Sequence, residues 1–258
     1  MYPVLLDFGN IKIYSWGFML AIAVIVAIFG LTKLFKREGY DPDSVLDLVI
    51  ILVLAGVLGS RLAYILVYQW QDLLANPAAV LSLSNGGFSG LVWYGALIID
   101  VPLFVWYLRR KGYPAWNILD IFAPFVALGY AIVRIGCFLN GCCYGEVTNS
   151  VLGVVFPYVD GLTRYPTQLF SSALNFILFG LLIWFYPYRR FNGEVFLLYL
   201  MGYSVYRFIV EYFRDSLINY GPFTMGQIIT VGLFVIAGLL YGWRKKQSEA
   251  AKQGGLKE

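Results

Sequence analysis

The chain has 258 residues, of which 60% are hydrophobic and 13% are charged. Soluble domains carry about 45–50% apolar and about 25% charged residues, so this composition excludes an ordinary soluble domain, a disordered chain and a nucleic-acid-binding protein. The absence of histidine excludes an imidazole base, a histidine-ligated metal and a Ser-His-Asp triad. The three cysteines are too few for a disulfide framework.

Apolar stretches long enough to cross about 30 Å of hydrocarbon recur along the chain. They predict an all-α polytopic membrane protein with seven transmembrane helices, at residues 14–32, 45–68, 90–108, 115–139, 166–187, 195–213 and 225–243. Residues 1–244 are expected to form a single domain, and residues 245–258 a polar tail. Two connections are longer than the others: residues 69–89 suit a short helix, and residues 140–165 contain the β-like run VLGVVF.

Lysine and arginine are concentrated in alternate connections, which sets the expected topology. Most of the 19 basic residues fall on one side: Lys33, Lys36, Arg37, Arg109, Arg110, Lys111, Arg189, Arg190, Arg244, Lys245, Lys246, Lys252 and Lys257. By the positive-inside rule this side is the cytoplasm. The N-terminus and the two longer loops are therefore predicted outside, and the C-terminus in the cytoplasm.

Three of the remaining arginines, Arg61, Arg134 and Arg207, lie within the predicted spans or close to their outer ends. Each costs about 2.5–3.5 kcal/mol at the centre of a membrane helix, so these side chains must face a wet or anionic interior. One interpretation is a structural ion-pair network. We favour an anion site, because guanidinium groups bind phosphate oxygens bidentately. In the second span, Tyr64 and Tyr68 share a helix face with Arg61.

The sixth predicted span repeats this pattern of charge and tyrosine. Arg207, Glu211 and Arg214 stand at i, i+4 and i+7, within about 60° of one helix face, and Tyr203 precedes them on it. Glu211 can hold Arg207 in place for an anion. Arg134 opens the segment RIGCFLNGCCYG, whose glycines suit a helix that ends in a tight loop with N–H groups facing an oxyanion.

The cysteines Cys137, Cys142 and Cys143 follow Arg134 in the same segment. Their C-x4-C-C spacing, without histidine or a fourth cysteine, is poor for zinc, so no metal is expected. A disulfide in an oxidising outer compartment is an alternative, although a bond between adjacent cysteines is strained. We favour a packing role at the end of the helix.

Taken together, these segments resemble the bacterial prolipoprotein diacylglyceryl transferases, from about Ile13 to Trp243. The most specific segment is YAIVRIGCFLNGCCYG, and the others are YSWGFML, LGSRLAY, GLVWYGALI, YPTQL and YRFIVEYFRD. The resemblance implies a multi-pass enzyme of the bacterial cytoplasmic membrane. It would transfer the diacylglyceryl group of phosphatidylglycerol to the lipobox cysteine of a preprolipoprotein and release glycerol phosphate. The implied partners are phosphatidylglycerol and lipobox-bearing signal peptides, and no cofactor is implied.

By motif position, the resemblance implies that Arg134 and Arg207 are the two essential arginines and that Asn140, Gly145, Glu211 and Arg214 complete the signature and the sixth-span network. With the residues argued from the sequence itself, the catalytic candidates are Arg134, Arg207, Glu211 and Tyr94, and the substrate-binding candidates are Arg134, Arg61, Asn140, Gly145, Arg214, Trp16 and Gln168. The chain departs from the family pattern at Tyr94 and Tyr165, where many members have histidine, and at Trp16, where many have tyrosine. Cys137 and Cys142 stand where many members have asparagine and glutamate.

The residues themselves permit this reaction. A thiol of pKa about 8.5 must attack a glycerol carbon while a phosphate monoester leaves, and arginines favour both the thiolate and the departing phosphate. The base remains open among Glu211, Tyr94 and solvent, with Glu211 favoured as an arginine partner. A transporter of a small anionic solute and a catalytically inert lipid-binding member are the alternatives. The lack of an inverted repeat and a site near one membrane face favour the enzyme.

Overall fold

The computed structural model of the protein describes residues 1–9, 12–77, 92–214 and 219–254. Within these ranges the helices are α1 Ser15–Arg37, α2 Asp43–Tyr68, α3 Trp70–Ala75, α4 Trp93–Lys111, α5 Ala115–Asn140, α6 Thr167–Phe185, α7 Glu194–Glu211 and α8 Met225–Gly254, with a 3-10 turn at Tyr186–Tyr188. Three antiparallel two-stranded sheets pair β1 Val4–Asp7 with β2 Lys12–Tyr14, β3 Val154–Val155 with β4 Thr163–Arg164, and β5 Asn219–Tyr220 with β6 Phe223–Thr224.

The long helices have the length and the surface of membrane spans. Five of them are long and apolar enough to cross a bilayer: α1, α2, α5, α6 with its 3-10 turn, and α8. Large apolar side chains on these helices are turned outward; Phe29 is 75% exposed and Leu239 71%. Apolar surface on this scale marks contact with lipid rather than water. The protein is a polytopic helical membrane protein. Helices α4 and α7 have 19 and 18 residues, and every 18-residue window of either helix contains at least three charged side chains.

Each predicted apolar stretch coincides with a helix in the described residues, but the ends differ. Helix α1 continues to Arg37, and α8 passes the expected domain boundary at residue 244 and reaches Gly254. Hydropathy marks only the part of a helix that faces lipid, whereas backbone hydrogen bonding continues into the polar flank. The short helix expected in residues 69–89 is α3, and residues 78–91 lie outside the described residues. The β-like run is confirmed by β3.

The first of two units comprises residues 1–34 and 116–258. Here α5 and α7 lie side by side and run in the same direction. Near the start of α5, the fully buried carboxylate of Asp120 accepts hydrogen bonds from the N–H groups of Gly193 (2.7 Å) and Phe196 (2.9 Å), at the first turn of α7. Further along α5, the ring of Tyr130 packs against that of Tyr203 at 6.3 Å. The C-terminal ends of both helices therefore lie together.

Helix α1 approaches α5 closely at Gly136, within the same unit. A Cβ atom on Gly136 would lie 3.1 Å from the Cα atom of Trp16 and 3.0 Å from the Cβ atom of Met19. Gly136 lies inside the predicted span 115–139 and inside α5, which continues to Asn140, so it precedes the tight loop that its segment was expected to form. The small residue serves helix packing instead.

The second unit comprises residues 35–115 and contains α2, α3 and α4. Helices α2 and α4 meet at two glycines: a Cβ atom on Gly59 would lie 2.6 Å from the carbonyl oxygen of Gly95. The N–H group of Val92 donates to the carbonyl of Ser60 at 3.1 Å, which fixes the start of α4 against α2.

Candidate functional site

The C-terminal half of α5 presents Arg134. Its guanidinium carbon lies 4.7 Å from the centre of the Tyr130 ring, and its Nη2 group donates a hydrogen bond to the Tyr130 hydroxyl. Tyr130 stands four residues before Arg134, so the two side chains share a helix face. The Tyr130 ring in turn packs against Tyr203 and Tyr206 of α7. An aromatic cluster thus holds this arginine against α7.

Arg207 of α7 is held by a carboxylate one turn later. Its Nη1 atom lies 2.5 Å from Oε2 of Glu211, and the two side chains are only 16% and 6% exposed. The Thr224 hydroxyl donates to Oε1 of Glu211 at 3.3 Å. Thr224 and Gln227 form a capping box at the start of α8, with each side chain accepting from the other's N–H group at 3.1 Å. Glu211 is therefore fixed by Arg207 of its own helix and by Thr224, the residue that caps α8.

Tyr203 connects the two arginines. Its side chain is hydrogen-bonded to Arg207 and interacts electrostatically with both Arg207 and Arg134. Two guanidinium groups from neighbouring helices therefore share one environment, at the ends of α5 and α7. The positive charge concentrated there favours an anion, and the planar donor groups of arginine match phosphate geometry.

Arg214 does not lie on the predicted helix face. Helix α7 ends at Glu211, and the N–H group of Arg214 donates to the Glu211 carbonyl at 3.2 Å in a tight turn. Arg214 then pairs with Gly145 in an isolated antiparallel β-bridge. The prediction that Arg214 shares a helix face with Arg207 is therefore wrong. The helix ends before Arg214, and the chain there joins the loop that follows α5.

That loop passes through a narrow gap at Gly145. The N–H group of Gly145 donates to the carbonyl of Tyr165 at 2.8 Å. A Cβ atom on Gly145 would overlap the carbonyl oxygen of Phe213 and lie 2.8 Å from the Thr167 methyl carbon. Glycine is required here by the close approach of the ends of α7 and the start of α6. The loop is thus tied to both helices.

The first residues of α6 hold the preceding turn of this loop. The Thr167 hydroxyl donates to the carbonyl of Cys143 at 2.8 Å, and Nε2 of Gln168 donates to the carbonyl of Cys142 at 2.6 Å. Gln168 is fully buried. Its contacts shape the loop beside the arginines.

The three cysteines come together at this turn. Their sulfur atoms all lie within 4.8 Å of one another, and all three are free thiols. The neighbouring Cys137 thiol lowers the pKa of Cys143, and the charges of Arg134 and Arg214 act in the same direction. The thiol cluster therefore borders the arginine site.

A sequence model of the prolipoprotein diacylglyceryl transferases matches residues 3–243. The chain belongs to this family. A phosphatidylglycerol–prolipoprotein diacylglyceryl transferase of Clostridium tetani (strain Massachusetts / E88) is 35% identical over 245 residues, which cover 91% of this chain and 96% of the relative. A relative of the same name from Legionella pneumophila (strain Corby) is 32% identical over 253 residues, covering 95% of this chain and 97% of the relative.

Most of the site residues predicted from the sequence and the resemblance to this family lie in the first unit: Trp16, Arg134, Asn140, Gly145, Gln168, Arg207, Glu211 and Arg214. Arg61 and Tyr94 belong to the second unit. Within it, the guanidinium carbon of Arg61 lies 5.7 Å from the centre of the Tyr64 ring, and Tyr94 is 63% exposed at the start of α4.

Three side chains that shape the site are not among the residues predicted from the sequence. Tyr130 was detectable from its i−4 position relative to Arg134. Thr224 was detectable from the capping-box pattern Thr-x-x-Gln that opens α8. Arg164, whose Nη1 group donates to the Gly145 carbonyl at 3.2 Å, is remote from Gly145 in the chain and carried no such signal.

Proposed function

We propose that this chain transfers the diacylglyceryl group of phosphatidylglycerol to the lipobox cysteine thiol of preprolipoproteins, forming a thioether and releasing glycerol phosphate. The names of its relatives give phosphatidylglycerol, prolipoprotein and the diacylglyceryl transfer between them. The observation that carries it is the pairing of Arg134 and Arg207 through Tyr203, at the common end of two parallel helices. A membrane protein with two cations in one buried place is suited to a lipid with an anionic headgroup.

The two arginines act as a clamp on the phosphate. A guanidinium has five N–H donors in a fixed plane, so Arg207 can bind Glu211 and Tyr203 and still offer donors to a phosphate oxygen. Arg134 is held from the side by the Tyr130 ring, which fixes the direction of its donors. Both arginines are oriented before the lipid arrives, so little reorganisation is needed when it binds.

The reaction then follows from where charge develops. The cysteine sulfur forms a bond to the glycerol carbon, and the bond from that carbon to the phosphate oxygen breaks with both electrons going to the phosphate. Negative charge grows on the phosphate as it leaves, and the clamp stabilises it more strongly in the transition state than in the bound lipid. The positive potential also lowers the pKa of the incoming thiol.

The remaining site residues bind and position the substrates. Gly145, with Asn140 and Gln168, shapes the loop beside the phosphate, and Arg214 adds positive charge to it. Glu211 orients Arg207. Trp16, Arg61 and Tyr94 contact the lipid or the peptide, and the Tyr94 hydroxyl acts as a hydrogen-bond donor rather than as a base.

The membrane arrangement is part of the proposal. Helices α4 and α7 are counted as spans with the five apolar ones, which gives seven. The basic last turn of α4, Arg109–Lys111, fits a cytoplasmic end. The N-terminus and the two longer loops then face outward, residues 245–258 face the cytoplasm, and residues 1–244 act as a single transferase domain in the bacterial cytoplasmic membrane. The site needs no cofactor to supply a leaving group, since the lipid carries it.

Reconstitution tests the reaction directly. The purified protein is incorporated into vesicles containing phosphatidylglycerol and given a lipobox peptide, and mass spectrometry is used to detect the added diacylglyceryl group. Arg134→Gln and Arg207→Gln are expected to lose transfer, whereas Arg110→Gln, at the exposed end of α4, keeps it. Near-normal transfer in either clamp variant would contradict its role. If the unaltered protein shows no transfer but takes up an anion, the transporter is supported instead. If it shows no transfer and only binds lipid, the inert lipid-binding member is supported.

A further inference from the structure

The three thiols beside the arginine site have the spacing of a metal site. The sulfur atoms of Cys137, Cys142 and Cys143 all lie within 4.8 Å of one another. Zinc–sulfur bonds of about 2.3 Å place tetrahedral thiolates about 3.8 Å apart, so only a small closure of the cluster is required. The C-x4-C-C spacing alone argues against zinc. In the structure, however, the end of α5 and the following turn bring the three sulfur atoms together.

The backbone around the thiols is held in place from several directions. Cys137 lies in the last turn of α5, and the N–H group of Cys142 donates to its carbonyl at 3.1 Å. Cys143 has a φ of 62°, a left-handed conformation that side chains rarely adopt. The Thr167 hydroxyl and the Gln168 amide fix the carbonyls of Cys143 and Cys142. The direction of each thiol is therefore set by the surrounding structure.

The charges nearby suit an occupied cluster. Three thiolates and one divalent cation carry a net charge of about −1, and each thiol must lose its proton to bind the ion. The guanidinium groups of Arg134 and Arg214 interact electrostatically with Cys143 and offset that negative charge. Three protein ligands leave the fourth position of a tetrahedral ion open, which is the pattern of catalytic rather than structural zinc sites.

We propose that Cys137, Cys142 and Cys143 bind a thiophilic divalent cation such as Zn²⁺, and that its open position receives the lipobox thiol. This inference rests on the proposed function. On binding the ion, the peptide thiol releases its proton to water, and the metal-bound sulfur keeps its electron pair. That pair forms the bond to the glycerol carbon, while the phosphate monoester leaves with the electrons of the broken carbon–oxygen bond. The ion thereby generates a thiolate in a chain that has no histidine base.

Metal uptake is measured without any turnover. Protein treated with a chelator and a reductant is titrated with Co²⁺, and the thiolate-to-metal charge-transfer absorption is recorded. All three cysteines of the chain belong to the cluster, so any thiolate band arises from it. One ion per chain is expected, displaced by Zn²⁺, with the band lost or altered in Cys137→Ser, Cys142→Ser and Cys143→Ser and retained in Arg110→Gln. A missing band, or an unchanged band in any cysteine variant, overturns the site.

Thiol labelling in the unaltered protein covers the case in which a serine variant fails to fold. Zn²⁺ is expected to slow maleimide modification of all three thiols by at least about tenfold, which corresponds to occupancy above about 90%. Equal labelling rates with and without Zn²⁺ overturn the proposal. The proposal is also overturned if the cysteines form a disulfide and the thiols obtained by reducing it take up no metal.

The open position is tested with a peptide. A lipobox peptide should shift the Co²⁺ spectrum, and the same peptide with serine in place of the lipobox cysteine should leave it unchanged. Chelation should lower diacylglyceryl transfer, and Zn²⁺ should restore it. If the ion binds but no transfer is detected under any condition, the proposed function fails while the metal site stands. If transfer persists in the chelated protein and in Cys143→Ser, the role of the ion is overturned while the proposed function stands.

Discussion

Replacing Glu211 with glutamine removes the negative charge beside Arg207 and keeps the size of the side chain. The carboxylate is 6% exposed and lies 2.5 Å from Nη1 of Arg207. Glutamine can still accept the Thr224 hydroxyl, but its amide group is a poorer partner for a guanidinium. Arg207 is expected to lose its fixed orientation, and with it part of the phosphate clamp.

The size of the effect follows from the burial of this pair. Removing one partner of a fully buried ion pair costs about 3–5 kcal/mol, and a hydrogen bond to a charged group contributes about 1.5–3 kcal/mol. Since Arg207 is 16% exposed and glutamine keeps one hydrogen bond, the range for a hydrogen bond to a charged group applies here. The free energy of unfolding should fall by about 1.5–3 kcal/mol. A loss of this size in the transition state lowers kcat/KM by about 10- to 150-fold.

A double-mutant cycle shows whether Glu211 acts through Arg207. Transfer rates per folded molecule are measured for Glu211→Gln, Arg207→Gln and the double variant, with folding followed by thermal unfolding in detergent. The double variant is expected to be no slower than Arg207→Gln alone, because an orienting group has no effect once its arginine is absent. Multiplicative losses would refute this reasoning and indicate that Glu211 acts independently, as a base.

Glu194 offers a matched control at the other end of α7. It is fully buried, its Oε1 lies 3.1 Å from Nη2 of Arg190, and the Tyr241 hydroxyl donates to it at 2.7 Å. Glu194→Gln should lower the free energy of unfolding by a similar amount, about 1.5–3 kcal/mol. Its transfer rate per folded molecule should stay within about twofold of the unaltered protein, as for a change away from the site.

Three further substitutions test the packing that positions the site. Gly145→Ala should lower the transfer rate, and it should lower the free energy of unfolding by about 1–3 kcal/mol, because its methyl group would overlap the Phe213 carbonyl. Gly232→Ala, in open space on α8, should leave the transfer rate unchanged and the free energy of unfolding within about 1 kcal/mol. Equal behaviour of the two variants would contradict the narrow gap at Gly145. Asp120→Asn weakens the contact with the first turn of α7, so the free energy of unfolding should fall by about 1.5–3 kcal/mol while transfer per folded molecule is retained. Unchanged stability would show that this contact does not hold α5 and α7 together. Gly95→Val should separate α2 from α4 and cost at least about 1–3 kcal/mol, detected as a lower unfolding temperature, whereas a stable variant would show that the helices do not need this close contact.

The helices were readily predicted from the sequence because a membrane span depends mainly on its own composition. The expected pairing of Arg207 with Glu211 is confirmed, since an i, i+4 relation is local and survives any tertiary arrangement. The prediction that Arg214 shares this helix face is wrong, because it extends the helical spacing past Glu211. The helix ends there, and Arg214 instead pairs with the distant loop at Gly145.

Features that depend on contacts between distant segments were outside the reach of the sequence. The close approach of Gly136 to Trp16 and the gathering of three thiols around one turn require the tertiary fold. Spacing rules describe ligands carried on regular elements, whereas Cys142 and Cys143 follow a helix end in a left-handed turn. The roles of the site residues stay predictions of motif position until the variants are measured.

The Thr224 hydroxyl has a consequence for the order in which the protein becomes active. It belongs to the start of α8, which follows every arginine-bearing helix of the site in the chain, yet it donates to the carboxylate that holds Arg207. During synthesis, α7 can enter the membrane with Arg207 and Glu211 already paired, but their surroundings are completed only when α8 arrives. We therefore expect insertion of this later helix to complete the proposed phosphate clamp, so that a partly inserted chain lacks the finished site.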